Sequence, residues 1–207
     1  MSKTTWEGAA LLAPVPPALV SCGTLESPNV LTAAWTGIIC SKPPRTYVSI
    51  RPERFSHGII EQTREFVINL PSASLVRETD LCGVKSGRDT DKFKLCNFTA
   101  EEGVKVNAPS IAECPISLEC KVFDIIRLGS HDMFLADIVA VRVDGQYLDR
   151  TGRLMIERCK LLSYAHGSYF APGEALGTFG FSVRKKPSTK KRPTAKRQPT
   201  AKNQKSK

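Results

Sequence analysis

Ser117-Leu-Glu-Cys-Lys-Val-Phe-Asp-Ile-Ile-Arg-Leu128, then Gly129-Ser-His-Asp132, then Met133-Phe-Leu-Ala-Asp-Ile-Val-Ala-Val-Arg-Val143 is the stretch that decides the fold. Two runs rich in Val, Ile and Phe flank four turn-forming residues, which reads as a long antiparallel hairpin with a tight loop. Working outward, Ala18 to Leu25, Thr32 to Cys40, Thr46 to Ile50 and Glu65 to Leu70 read as further strands. Helical periodicity is confined to His57 to Thr63 and to short pieces near Ser74 to Thr79 and Asp91 to Leu95. Asp144-Gly145 and Asp149-Arg150-Thr151-Gly152 mark turns, with Tyr147-Leu148 as a short strand piece between them. Many strands and few helices predict a mainly β protein, a closed or nearly closed antiparallel barrel whose closure hides its edges. No G-x-G-x-x-G follows a strand, so a dinucleotide-binding Rossmann unit is not supported.

The segment from Asn29 to Pro71 carries the chemistry. Pro43 and Pro44 sit where neither strand nor helix carries prolines in its interior, so they mark a loop between two apolar runs. Arg51-Pro52-Glu53-Arg54-Phe55-Ser56 then places two guanidinium groups and a hydroxyl just ahead of the His57 to Thr63 helix, with Ser56 at the position of an N-cap. Free amides at a helix start and neighbouring arginines suit a phosphate, for which Ser49, Arg51, Arg54, Ser56 and Lys92 are the candidates. An ordinary Ser cap beside two solvated arginines is the competing reading.

Composition bounds the rest. At 207 residues and 41% apolar content the chain suits one globular domain. The formal charge of +10 is localised: residues 184–207 hold eleven Lys or Arg and no acid, leaving nineteen bases against twenty acids before them. A near-neutral body argues against a basic groove as its main working surface. Seven cysteines show neither C-x-x-C nor zinc-like spacing, and three histidines lie far apart, so reduced, mostly buried thiols and no metal site are expected. No apolar run approaches the ~18 residues of a spanning helix and no signal peptide is evident, which predicts a cytoplasmic protein without a membrane segment.

The Asn29 to Pro71 residues resemble a known family when taken with Leu81-Cys82-Gly83, Ser86-Gly87-Arg88, Asp91-Lys92-Phe93, Ala108-Pro109, Ile111, Glu113-Cys114-Pro115 and Leu128-Gly129-Ser130-His131-Asp132. The chain is similar, from about Trp6 to Tyr169, to the flavin reductase-like, FMN-binding split-barrel family, in its flavoredoxin branch. That resemblance implies an antiparallel Greek-key split barrel with a few short helices, a homodimer and FMN near the subunit interface. The activity implied is that of an oxidoreductase or electron-transfer flavoprotein moving hydride or electrons through bound FMN, with NAD(P)H or an electron-transfer protein as redox partner. It favours Ser49, Arg51 and Ser56, with the backbone around Ile50, for the phosphate. Asn29, Thr32, Ala33, Ala34 and Trp35 fall to the ring's pyrimidine edge, and the loop with Cys82, Ser86 and Lys92 flanks the flavin. Lys92 close to the N1–C2=O edge would favour the reduced flavin, since reduction adds negative charge there. His131, at the hairpin tip, is the candidate for proton delivery because its ordinary pKa of about 6.5 lies near working pH. Asp132 reads as a turn former, and Cys40 and Cys82 as packing thiols.

Residues 1–183 are thus expected to form the flavin-binding domain and 184–207 a disordered Lys/Arg/Pro-rich tail. The tail repeats a six-residue unit from Pro187, Pro193 and Pro199 and has no apolar side chain larger than alanine apart from its prolines. It predicts non-specific polyanion binding. It also supports the competing functional class, a non-enzymatic flavin-holding or nucleic-acid-associated module acting through the tail.

Overall fold

In a computed structural model, which describes residues 1–184, the strands are β1 (Ala18–Gly23), β2 (Pro28–Ala33), β3 (Thr36–Ser41), β4 (Pro44–Ile50), β5 (Glu65–Leu70), β6 (Ala100–Glu101), β7 (Ser110–Ile111), β8 (Ile116–Arg127), β9 (Asp132–Val143), β10 (Ser163–Ala165) and β11 (Ser168–Phe170). The helices are α1 (Phe55–Thr63), α2 (Val76–Val84) and the single turn α3 (Lys92–Leu95). The chain divides into two compact units, 1–173 and 174–207. The second unit contributes one described 3-10 turn, Phe181–Val183. The remainder of the basic tail, 185–207, lies outside the described residues.

Seven strands form one antiparallel sheet in the order β2-β1-β5-β8-β9-β4-β3. The two strands at opposite ends of that order, β2 and β3, are consecutive in sequence, joined only by Ala34 and Trp35. A flat sheet would hold them about 29 Å apart, six gaps of about 4.8 Å, whereas three Cα steps from Ala33 to Thr36 reach about 11 Å. The sheet therefore has to curl until its ends meet at this link, which makes a barrel closed by the chain itself. The Ser49 amide donates to the Trp35 carbonyl at 2.9 Å, tying the link to β4. The expected single strand from Thr32 to Cys40 is thus two strands, and the corner between them carries no Pro or Gly that would have marked it.

The hairpin β8–β9 is the longest pairing, with bulges near Glu119 and Val122. Its turn is closed by the Leu128 amide on the His131 carbonyl, with Gly129 at φ 83°. Alternation along the strands sends Val20, Cys22, Leu31, Val48, Ile50, Phe66, Ile68, Phe134 and Ala136 into the barrel, where they share one buried cluster with Ile60 of α1. The other face of β1 and β2 is not left to solvent. Leu19 and Val30 pack under α2, α3 and the following loop with Cys82, Phe93, Phe98 and Ile111, so β1 is buried on both sides. Asn69 is fully buried on that covered face; it donates to the Leu19 carbonyl and accepts from the Ile111 amide and the Ser117 hydroxyl.

Three local expectations are corrected. Ser56 is not an N-cap: α1 starts after Arg54, whose backbone is extended and whose side chain makes no capping bond, and Ser56 lies buried within the first turn. Tyr147-Leu148 is a strand piece only at its second residue: Tyr147 ends a 3-10 turn, Gly145–Tyr147, capped by the Asp144 carboxylate on the Gln146 amide, while Leu148 is extended and bridges antiparallel to Leu154. Asp132 is not a turn former: it opens β9 and is 4% exposed. It accepts from Arg127 and lies 2.7 Å from His57 Nε2.

Candidate flavin site

Two clefts open side by side where the β2–β3 link, the end of β4, the start of α1 and the loop after α2 converge. The first, about 310 Å³, is lined by Thr32, Ala33, Ala34, Trp35, Ser49, Ile50, His131, Asp80, Tyr164 and Tyr169. The second, about 450 Å³, is lined by Ser56, Cys82, Lys85, Ser86, Gly87, Arg88 and Lys92. Leu31, Arg51 and Arg54 line both, so the clefts are continuous. Their sizes lie in the range of small-molecule sites.

The two lobes differ in chemistry. Five cations, Arg51, Arg54, Lys85, Arg88 and Lys92, face the second lobe against one carboxylate, Glu53. Lys92 is 4% exposed, and its Nζ donates to the carbonyls of Cys82 and Lys85, each at 3.2 Å. Burial pushes the Lys92 pKa down, and a ligand anion would offset that cost. Arg54 is held by the Gly83 carbonyl at 3.1 Å, which fixes it at the junction of the lobes. Gly87 is a close-approach position, since a Cβ there would come within 2.1 Å of Asn29 Oδ1 and 2.8 Å of Phe55 Cδ1. The first lobe is aromatic and less charged. Trp35 and His131 form a tilted pair, ring centroids 4.3 Å apart and planes at 38°. Tyr164 and Tyr169 form a second tilted pair at 5.2 Å, with the Tyr169 hydroxyl donating to Asp80 at 3.2 Å. Burial and the Asp80 carboxylate push the Tyr169 phenol up to about 12, so it stays a donor. Burial, with Arg51 nearby, lowers the His131 pKa and keeps the imidazole neutral.

The residues proposed for the ring edge do meet at one lobe, except Asn29. It is buried behind the second lobe, its Nδ2 donating to Ser56 Oγ at 2.6 Å, so it acts on the site through Ser56. Thr32 donates its hydroxyl to the Thr79 carbonyl and anchors α2 to β2. Lys92 sits in the cationic lobe with Ser56 and Arg88, not in the aromatic lobe that holds Trp35. Ser86 accepts from the Arg88 amide within its own turn. Ile50 is 2% exposed, which leaves its backbone as the part that can reach a ligand.

Asp80, Tyr164 and Tyr169 join this lobe without belonging to any of the sequence motifs above. The two tyrosines were findable in Ser163-Tyr-Ala-His-Gly-Ser-Tyr-Phe170, where His166 and Gly167 take positive φ in the turn of a small hairpin and Tyr164 pairs with Tyr169. A further polar cluster lies behind the hairpin turn: His57, Asp132, Arg127 and Glu61 connect α1 to the residue beside His131. Burial opposes the charge on Asp132, but hydrogen bonds from His57 and Arg127 hold its carboxyl below the ordinary value.

Residues 12–172 match the family described as the flavin reductase like domain. The chain belongs to that family. Proteins of known structure superpose on it. A flavoredoxin of Desulfovibrio vulgaris (Miyazaki F), 32% identical, aligns over 88% of this chain and all of its own with a TM-score of 0.82. An FMN-binding protein of Thermus thermophilus, 27% identical, aligns over 86% of this chain and 97% of its own with a TM-score of 0.71. An NADPH-flavin oxidoreductase of Streptomyces viridifaciens is 27% identical over 140 residues, 67% of this chain and 69% of its own length. Against two archaeal relatives at 34% identity, the chain spans 66% and 77% of their lengths.

Proposed function

We propose that this chain is an FMN-dependent oxidoreductase or electron-transfer flavoprotein. The observation that carries the reading is the continuity of a cationic lobe with an aromatic one through Arg51 and Arg54. A mononucleotide with a dianionic phosphate at one end and a planar ring at the other has that polarity. The donor set fits: charged hydrogen bonds from Arg51, Arg88 and Lys92 and the Ser86 hydroxyl suit a phosphate. The small side chains of Ala33 and Ala34 let backbone groups of the β2–β3 link approach a ring edge. When bound, FMN supplies the hydride and single-electron chemistry.

The protein's own residues then hold and shield. Arg54, fixed by the Gly83 carbonyl, keeps the two lobes in register. Trp35, Tyr164 and Tyr169 exclude water from the aromatic lobe while leaving it open enough for a second planar reactant to stack. Neutral His131, leaning on Trp35, is placed to hold a proton at the rim of that lobe. A nicotinamide donor needs no motif of its own in such a site. A homodimer accords with the exposed Ile38 and Ile39 of β3 and Phe123 and Ile126 of β8, large apolar side chains that a lone protomer leaves in water.

The test is a visible spectrum of the purified protein, followed by anaerobic addition of NADH and then NADPH. Expected are flavin absorption at about one FMN per chain and bleaching by at least one reductant or by a reduced electron-transfer protein. A colourless protein that takes up no added FMN would overturn the assignment.

A further inference from the structure

The loop that supplies most of the cationic lobe begins and ends at a cysteine. Cys82 lies in the last turn of α2 and Cys96 directly follows α3, with their sulfurs 3.8 Å apart and both thiols free. Lys85, Ser86, Arg88 and Lys92 all lie between them. Lys92 is tied to both ends of the pair: its Nζ donates to the Cys82 carbonyl at 3.2 Å, and its own carbonyl accepts from the Cys96 amide at 3.0 Å. We propose that Cys82 and Cys96 form a reversible disulfide that staples this loop, so that the redox state of the thiol pair sets how firmly the flavin phosphate is held. The retention half of this inference rests on the FMN reading above; the disulfide itself does not.

The oxidant class is a low-molecular-weight disulfide, and the steps balance. Cys96 is the partly exposed member of the pair, while Cys82 is 1% exposed, so Cys96 is the entry point. Its thiolate attacks one sulfur of the oxidant, forming a mixed disulfide and releasing the first small thiol. The Cys82 sulfur, giving up its proton, then attacks Cys96 sulfur, forming the Cys82–Cys96 bond and releasing the second small thiol. Two protein thiols become one disulfide, and the oxidant's two sulfurs leave as thiols carrying the two protons. Burial raises both thiol pKa values, with Lys92 pulling the other way, so exchange quickens as pH rises. Bridging needs the sulfurs to close from 3.8 Å to about 2.05 Å. That movement draws the end of α2 toward the end of α3, across the mouth of the loop that carries the phosphate contacts.

The experiment uses the flavin-loaded full chain, equilibrated with oxidised glutathione or with dithiothreitol. Peptide mapping is expected to show a Cys82–Cys96 crosslink only in the oxidised sample. FMN release, followed by recovery of flavin fluorescence on dilution, is expected to be slower in the oxidised sample by about tenfold, as for a pre-ordered binding loop. Riboflavin release should not change. Cys96→Ser should lose both responses, and Cys40→Ser should keep them. Absence of the crosslink under oxidising conditions overturns the proposal, and so does a crosslink with unchanged FMN release. A chain that crosslinks but binds no FMN in either state overturns the flavin reading and with it the retention half, leaving the disulfide standing.

Discussion

Replacing Lys92 by methionine separates the phosphate from the ring. The side chains have similar length, and Lys92 is 4% exposed, so the apolar stem of methionine can occupy the same buried path. Two effects on the fold oppose each other: the carbonyls of Cys82 and Lys85 lose a donor, while a buried ammonium disappears. The fold should therefore persist. The ligand feels a one-sided change, since a charge-assisted hydrogen bond is worth about 1.5–3 kcal/mol, or roughly 10- to 150-fold in Kd. Fluorescence titration should show that loss for FMN and almost none for riboflavin. The pH profile gives a second check. Burial sets the Lys92 pKa below the ordinary 10.5, so in the native protein FMN affinity should begin to fall, as pH rises, before an exposed lysine would titrate. The stability of the flavin-free protein should move the opposite way. Between the lowered pKa and 10.5 the unfolded chain binds more protons than the folded one, so stability gains with pH in that window. Both trends should be missing in Lys92→Met. Equal losses for FMN and riboflavin would refute the placement of Lys92 in the phosphate lobe.

Gly87→Ala should abolish FMN binding while leaving a folded protein, because the new Cβ would sit 2.1 Å from Asn29 Oδ1 and push the Asn29–Ser56 pair out of place; undiminished FMN affinity would contradict this. His57→Ala should destabilise the fold by about 1–3 kcal/mol in urea unfolding, because the buried Asp132 carboxylate loses a hydrogen-bond partner while Arg127 still reaches it. The Asp132 carboxyl is held below the ordinary 3.8, so its contribution is fully present above that value and lost as pH falls through the lower, folded one. Acid unfolding of His57→Ala should accordingly begin at higher pH than in the native protein. In a Trp6→Phe background, emission from Trp35 should be quenched as the neighbouring His131 gains a proton, with a midpoint below the ordinary 6.5, and His131→Gln should remove the transition. A midpoint at or above 6.5 would show that the imidazole is not buried against Trp35.

Much of this was legible in the sequence because it depended on local patterns. Glu65 to Leu70 is a strand in both readings, and the Ser117 to Val143 hairpin lies within one residue of its expected limits, because β-branched alternation and a glycine turn are local signals. The corner at Ala34-Trp35 was not legible, because it exists only once seven strands curl and their ends must meet. Ser56 fails for a related reason. Its hydroxyl could have capped α1, but Asn29, 27 positions earlier, reaches it first, and a long-range hydrogen bond leaves no mark in the local sequence. Asp132 looked like a turn residue because Gly-Ser-His-Asp is turn chemistry, yet β9 already begins there and its carboxylate is pulled inward by His57 from α1.

The same distinction explains how the site is built. Sequence neighbours form each lobe's edge: Thr32 to Trp35 for the ring, Lys85 to Lys92 for the phosphate. What brings the edges together is non-local. Arg54 crosses to the Gly83 carbonyl, Thr32 to Thr79, and Asn29 to Ser56, so β2, α1 and α2 are bonded pairwise around the junction of the two lobes. These three contacts set the spacing between the cationic and aromatic lobes. Cutting any one of them should therefore weaken a ligand that spans both lobes more than a ligand that fills only one. Asn29→Ala, which touches neither lobe directly, is the cleanest case. It should reduce affinity for FMN while sparing inorganic phosphate, and parallel losses for both would mean that Asn29 supports only the phosphate lobe.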